Sequence, residues 1–206
     1  LVNSAATMSG LQGSDSFTIS GYGSGTAVGS YTDSLTLSAA SGTDANNYTI
    51  SLVGGTLTVT PAPLTISGGT TRLTYNASQQ TNSFTVSGLL GSDTVTGVSG
   101  LAQATHVSDG TISDALSGAT GSGIGNYNVS YGNGTLTIDP ATLTVTGSSR
   151  SATYTSNQLV NSAATMSGLQ GSDSFTVSGY GSGTAVGSYT DSLTLSAASG
   201  TDANNY

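Results

Sequence analysis

Residues 46–66 read NNYTISLVGGTLTVTPAPLTI, and residues 126–145 read NYNVSYGNGTLTIDPATLTV. In each, an alternating apolar–polar run begins near a tyrosine, meets a glycine turn, resumes, and passes through a proline into a further alternating run. Alternation at period two is the mark of a half-buried strand. Gly54-Gly55 and Gly132-Asn-Gly134 carry hairpin turn signals, so each stretch is expected to be a hairpin feeding the first strand of another unit. Proline donates no ladder hydrogen bond and is tolerated where a strand begins. It also fixes φ and holds the preceding residue extended. Thr60-Pro61 and Asp139-Pro140 are therefore expected to be stiff inter-domain joints with little slack.

Working outward, the two stretches belong to a repeat. Residues 159–206 restate residues 1–48 with one change, Ile19 becoming Val177, an offset of 158. A weaker half-period of 79 relates Pro61 to Pro140, Tyr75 to Tyr154, and Tyr48 to Tyr127 and Tyr206. The spacing is too long for a β-helix coil or a leucine-rich repeat and suits a small domain with its own core. Residues 61–139 read as one complete unit (type A). Residues 1–60 read as the C-terminal part of a type-B unit and residues 140–206 as the N-terminal part of a second one. The first part is short of an opening strand and the second of a closing hairpin, which suggests a window on a longer array.

The composition of the 206 residues points the same way. Charged residues make up 6%; the acidic ones are all Asp, the basic ones are Arg72 and Arg150, and Glu and Lys are absent. Strong helix formers are thus scarce, while Thr, Val and Tyr favour strands and the 30 glycines favour turns. A net charge of −8 argues against nucleic acid and against anionic membranes. No apolar run is long enough for membrane insertion as a helix. The absence of cysteine excludes disulfides and thiol chemistry.

Within 61–139, strands are expected at 64–66, 84–86, 94–96, 110–113, 127–131 and 135–138, with Gly29-Ser-Tyr-Thr and Gly187-Ser-Tyr-Thr as counterparts of 110–113. About seven short strands per unit with turn signals between them read as a tandem array of Ig-like β-sandwich units, with a β-grasp-like sheet as the alternative.

The order Leu64-Thr-Ile66, Tyr75-Asn76, Phe84-Thr-Val-Ser-Gly-Leu89, Gly91-Ser-Asp93, Asn126-Tyr127 and Gly134-Thr-Leu-Thr-Ile138 resembles the MBG-type repeats of very large bacterial surface proteins, as in filamentous-haemagglutinin-like adhesins. The resemblance covers the whole chain. It implies an extracellular, cell-surface stalk or adhesive module of the kind used in cell adhesion and biofilm, with no catalytic residues.

His106 is the only histidine and has no counterpart in the flanking units, so a repeated triad or histidine metal site is impossible and a surface-loop role is expected. The Asp residues sit mainly in turns such as Gly-Ser-Asp, where they cap backbone groups, and no enzymatic activity is expected. Gly21-Tyr-Gly-Ser-Gly25 lacks the lysine and the following helix of a phosphate loop. Calcium stays open as a cofactor, with Asp93, Asp139 and Asp173 as weak candidates, because no Asp-x-Asp cluster occurs. Tyr48, Tyr127 and Tyr206 are expected in the core, and Tyr22 and Tyr180 are the candidate ligand contacts. Asn47, Asn76, Asn128 and Asn133 begin glycosylation triplets. Without lysine, no Lys–Asn isopeptide bond can form. The expected partners are neighbouring repeats of the same polypeptide, with other copies in a filament or a matrix polysaccharide as further options. The leading reading is a stiff stalk or filament module. Its alternatives are a carbohydrate- or receptor-binding adhesin module and a self-assembling fibre subunit with strands shared between chains.

Overall fold

The computed structural model describes all residues, 1–206, as an all-β chain with no helix beyond single 3-10 turns. The N-terminal copy supplies β1 (Phe17–Ser20), β2 (Gly29–Thr32), β3 (Thr36–Ala39) and β4 (Thr56–Val59). Residues 61–139 supply β5 (Ala62–Gly68), β6 (Thr70–Thr74), β7 (Gln80–Thr81), β8 (Phe84–Ser87), β9 (Gly97–Ser99), β10 (Gln103–Ala104), β11 (Thr111–Ser113), β12 (Ser117–Thr120), β13 (Tyr127–Gly132) and β14 (Thr135–Asp139). The C-terminal copy supplies β15 (Thr144–Gly147), β16 (Leu159–Val160), β17 (Ala164–Ser167), β18 (Phe175–Ser178), β19 (Ser182–Gly183) and β20 (Thr194–Ala197). Three 3-10 turns, Ala45–Asn47, Ile124–Asn126 and Ala203–Asn205, recur at the 79-residue spacing, each just ahead of the repeated tyrosine. No helix is long and apolar enough to cross a membrane.

The alternation in the sequence becomes alternation in burial. In β14, Leu136 and Ile138 are fully buried while Thr135 and Thr137 are half-exposed. Each such aliphatic side chain taken from water contributes about 2–3 kcal/mol. The fully buried apolar side chains all lie between Leu64 and Ala141.

The β1–β3, β2–β4, β7–β10, β11–β14, β15–β17, β16–β19 and β18–β20 pairs are antiparallel. β6 runs parallel to β14, Thr70 opposite Thr135 through Thr74 opposite Asp139, in a sheet of order β11-β14-β6. β5 lies between β13 and β8, and β9 pairs with β12. The first strand of the complete repeat therefore divides at Gly68-Gly69, one half joining each sheet. Gly134 passes so close to the Gly68 and Gly69 backbone that a Cβ there would collide with it, which explains glycine at that crossing.

The expected hairpin 127–131/135–138 is corrected: β13 and β14 do not pair with each other. The turn between them is spent elsewhere. Asn133 Oδ1 accepts the Leu116 amide at 3.0 Å, and the Gly134 amide donates to Asp114 at 2.9 Å, so the chain crosses between sheets instead of folding back. The Gly54-Gly55 hairpin is corrected likewise, because β4 pairs with β2 and residues 48–53 form no strand. The strand expected at 94–96 appears three residues on, as β9. The amides of Thr94 and Thr96 bond outward to Ser122 and Thr120.

Identical sequence takes different structure where a pairing partner differs. Residues 164–167 form β17 against β15, whereas the same four residues at 6–9 form no strand. Gly29–Thr32 forms β2 against β4, whereas the same residues at 187–190 form none.

Two compact units divide the chain. The first comprises Leu1–Thr65, Ser87–Gly97 and Ala119–Ser130 and contains the β1–β3 and β2–β4 pairs. The second comprises Ile66–Val86, Val98–Gly118 and Tyr131–Tyr206. It contains the β11-β14-β6 sheet and a core of Tyr75, Ala102, Ala104, Leu136, Ile138 and Ala141.

Candidate functional site: the joints between repeats

The site with the most chemistry is the junction of one repeat with the next, and it is built on a latch found in every repeat. In the turn ending at Asp93, the Asp93 amide bonds Leu90 O, the Leu90 amide donates to the Tyr127 hydroxyl at 2.8 Å, and that hydroxyl donates to Asp93 Oδ2 at 2.8 Å. The same closed cycle joins Gln12, Asp15 and Tyr48, with the hydroxyl 2.6 Å from Asp15 Oδ2, and Gln170, Asp173 and Tyr206, at 2.8 Å. Gly13, Gly91 and Gly171 sit in the left-handed region at φ 57°, 59° and 55°, the conformation these turns need. Tyr127 is buried, as expected, whereas Tyr48 and Tyr206 are half-buried and meet Phe17 and Phe175 edge-on at 5.5 and 5.4 Å.

A second latch went unread in the sequence. Asp114, only 3% exposed, accepts the Ala102 amide at 2.8 Å, the Gly134 amide at 2.9 Å and Asn82 Nδ2 at 2.9 Å. Burial alone would raise its pKa, but these donors outweigh burial and hold the carboxyl below its ordinary range. Asp33 is held low in the same way, first by the Gly23 amide against burial, then by Gly55 and Asn3. Asp191 is matched to Gly181 and Asn161. Asn3, Asn82 and Asn161 lie 79 apart, a signal that periodicity could have found.

The joints add bonds between repeats. In the first unit, the Val28 amide donates to Asn126 Oδ1 at 2.9 Å. In the second unit, the Val107 amide donates to Asn205 Oδ1 at 3.0 Å, the same relation 79 residues on. There the joint is more elaborate. Asn205 is 0% exposed, its Nδ2 lies 3.0 Å from His106 Nδ1, and its carbonyl accepts the Ala141 amide at 2.8 Å. Tyr75, 4% exposed, donates to Asp173 Oδ2 at 2.8 Å, stacks on His106 at 6.0 Å and meets Tyr206 edge-on at 5.7 Å. Burial first, then the Asp173 carboxylate, pushes Tyr75 up to about 12. His106 is thus an exposed loop residue, as expected, that also covers the joint.

The other sequence candidates fall as follows. Thr60 and Pro61 are exposed between β4 and β5. Asp139 ends β14 and pairs with Arg72 on the surface, and Pro140 is exposed with the tied Ala141 amide immediately after it. Asp93, Asp139 and Asp173 do not converge: each serves a protein donor of its own, and no group of three or more potential metal ligands is present. Tyr22 and Tyr180 are half-buried, and the tyrosines of their loops that make hydroxyl bonds are Tyr31, to Ala27 O, and Tyr189, to Ala185 O.

No family model, curated protein or solved structure matches the chain.

Proposed function

We propose that this chain is a non-catalytic structural segment of an extracellular bacterial adhesin, a tandem array of Ig-like β-sandwich repeats serving as a stiff stalk or filament. The observation that carries the reading is the recurring joint. The amide of Val28 or Val107 is capped by Asn126 or Asn205 of the following repeat, at the same sequence separation. Repeats that share hydrogen bonds and are separated by two exposed residues, Thr60 and Pro61, or by a tied Pro140-Ala141, have little freedom to swing. The parallel pairing of β6 with β14 supports the sandwich assignment, and the MBG-type order of motifs supports the surface location. Small-angle scattering of the purified chain is the test, together with labelling of intact source cells by an antibody to it. A scattering profile of freely jointed domains sinks the stiff stalk; antigen accessible only after permeabilisation sinks the extracellular reading.

A further inference from the structure

Asn205 is fully buried, and the two ends of its side-chain amide are committed in opposite senses. The Val107 amide can only donate, so the atom that meets it at 3.0 Å is Oδ1. The other end, Nδ2, faces His106 Nδ1, also at 3.0 Å, and can only donate to it. A ring nitrogen that accepts carries no proton, so this contact needs a neutral imidazole. Protonation sets a second N–H against Nδ2. The asparagine cannot turn round to meet it, because the turn would bring Nδ2 against the Val107 amide, donor to donor. Whichever way the pair relaxes, one side-chain bond of Asn205 is lost in a fully buried position.

The surrounding charges do not replace that bond. Asp109, on the same turn as His106, accepts the Thr105 and His106 amides at 2.8 Å. Its charge favours an imidazolium, but it offers Asn205 no acceptor. On the elements packed against this turn, Tyr75 stacks on His106, and its hydroxyl shares Asp173 with that of Tyr206. Asp139 is paired with Arg72, and Asp202 caps the 203–205 turn through the Asn204 amide. The terminal carboxylate of the chain stands at Tyr206, and the α-amino group at Leu1 belongs to the other unit. Carboxylates ordinarily titrate near pH 4 and phenols near 10. An imidazole is therefore the one group at this joint suited to change charge between about pH 5 and 8. The joint in the first unit has no such group: Ala27 stands 79 residues before His106, beside the Val28 amide that Asn126 caps.

We propose that the joint containing His106 is an acid-sensitive hinge, in which protonation of His106 releases the Asn205 cap on Val107 and loosens the joint. The contact is made by the neutral ring alone, so it is complete above the histidine range and is lost as pH falls through it, around 6.5 for a free histidine side chain. Acid thus loosens one joint of this chain and spares the one that Asn126 caps. The proposal stands on the joint geometry and not on the stalk assignment.

Hydrogen exchange at the Val107 and Val28 amides of the purified chain tests it, with each rate divided by the intrinsic rate at the same pH, between about pH 8 and 5. Protection at Val107 is expected to fall by about tenfold toward the acid end, the equivalent of one net hydrogen bond, while protection at Val28 stays level. His106→Gln, at an exposed position, offers Asn205 Nδ2 a carbonyl oxygen that does not titrate, and protection at Val107 is expected to stay level in it. Level protection at Val107 in the unsubstituted chain overturns the proposal. So does a fall that persists in His106→Gln, or one that Val28 shares. Each of these leaves the stalk reading standing, because that reading is tested by scattering and surface labelling.

Discussion

Tyr75 of one repeat donates its hydroxyl to Asp173 of the next, at 2.8 Å from the carboxylate oxygen that also holds Tyr206. A turn that fastens its own repeat thereby fastens the neighbouring one, with no residue added to the latch. The carboxylate has lone pairs for both donors, and the glycine beside it lets the preceding repeat's Ala77 approach.

Removing that one hydroxyl isolates the coupling. Tyr75→Phe keeps the ring against Tyr206 and His106 and deletes the bond to an ionised acceptor, so it should lower stability by about 1.5 kcal/mol. Urea denaturation of the two proteins reads this as a lower midpoint at unchanged slope. An unchanged midpoint would mean that the two repeats are not coupled through this oxygen.

The same bond sets an alkaline limit. A tyrosine whose folded pKa is raised contributes stability that is complete below its unfolded value of 10.0 and is lost as pH climbs toward the folded value, about 12 for Tyr75. Burial raises Tyr127 and Tyr206 in the same direction. Following tyrosinate absorbance against pH, Tyr75 should ionise last, and stability should fall between pH 10 and 12. Tyr75→Phe should remove the latest-titrating component; its persistence in that variant would refute the assignment.

Much of this was legible in the sequence, and what was not has a physical reason. The 79-residue period, the burial of Tyr127 and the all-β class follow from spacing and alternation, which are local. Pairing is not local. Gly132-Asn-Gly134 looks the same whether its flanking strands meet or diverge, and the deciding groups, Asp114 and Leu116, lie well back along the chain. Residues 6–9 and 164–167 make the same point: one sequence, with strand formation decided by whether β15 lies alongside. The Asn82–Asp114 pair escaped notice because Asn and Asp ordinarily signal turns, and only its recurrence at Asn3–Asp33 and Asn161–Asp191 marks it as structural.

Acid should act on that pair. Asp114 has a folded pKa below its unfolded value, so its contribution is present above the unfolded value and is lost as pH falls through the folded one, a window below about pH 4. Asp33 and Asp109 titrate in the same direction. Asp114→Asn should therefore shallow the acid limb of a stability–pH curve without abolishing it. Asp114→Ala strands the amides of Ala102 and Gly134 and the Asn82 side chain in the interior, and should cost roughly 3–5 kcal/mol at neutral pH. A loss under about 1 kcal/mol would mean that water replaces the carboxylate freely.

The asparagine caps can be tested one amide at a time. Val28 and Val107 donate their amides to Asn126 and Asn205, and neither bond belongs to a strand ladder. Hydrogen exchange at these amides thus reports opening of the joint and not of the sheets. Asn126→Ala removes a single acceptor, and exchange at Val28 should quicken by about tenfold, the equivalent of one net hydrogen bond. Asn205→Ala should have the larger effect at Val107. The same side chain also contacts His106 in a fully buried position, and its loss leaves a void as well as an unpaired amide. Equal effects at the two joints would argue that His106 adds nothing to the second. No effect at either would separate these bonds from the coupling of repeats and leave the prolines to hold the array alone.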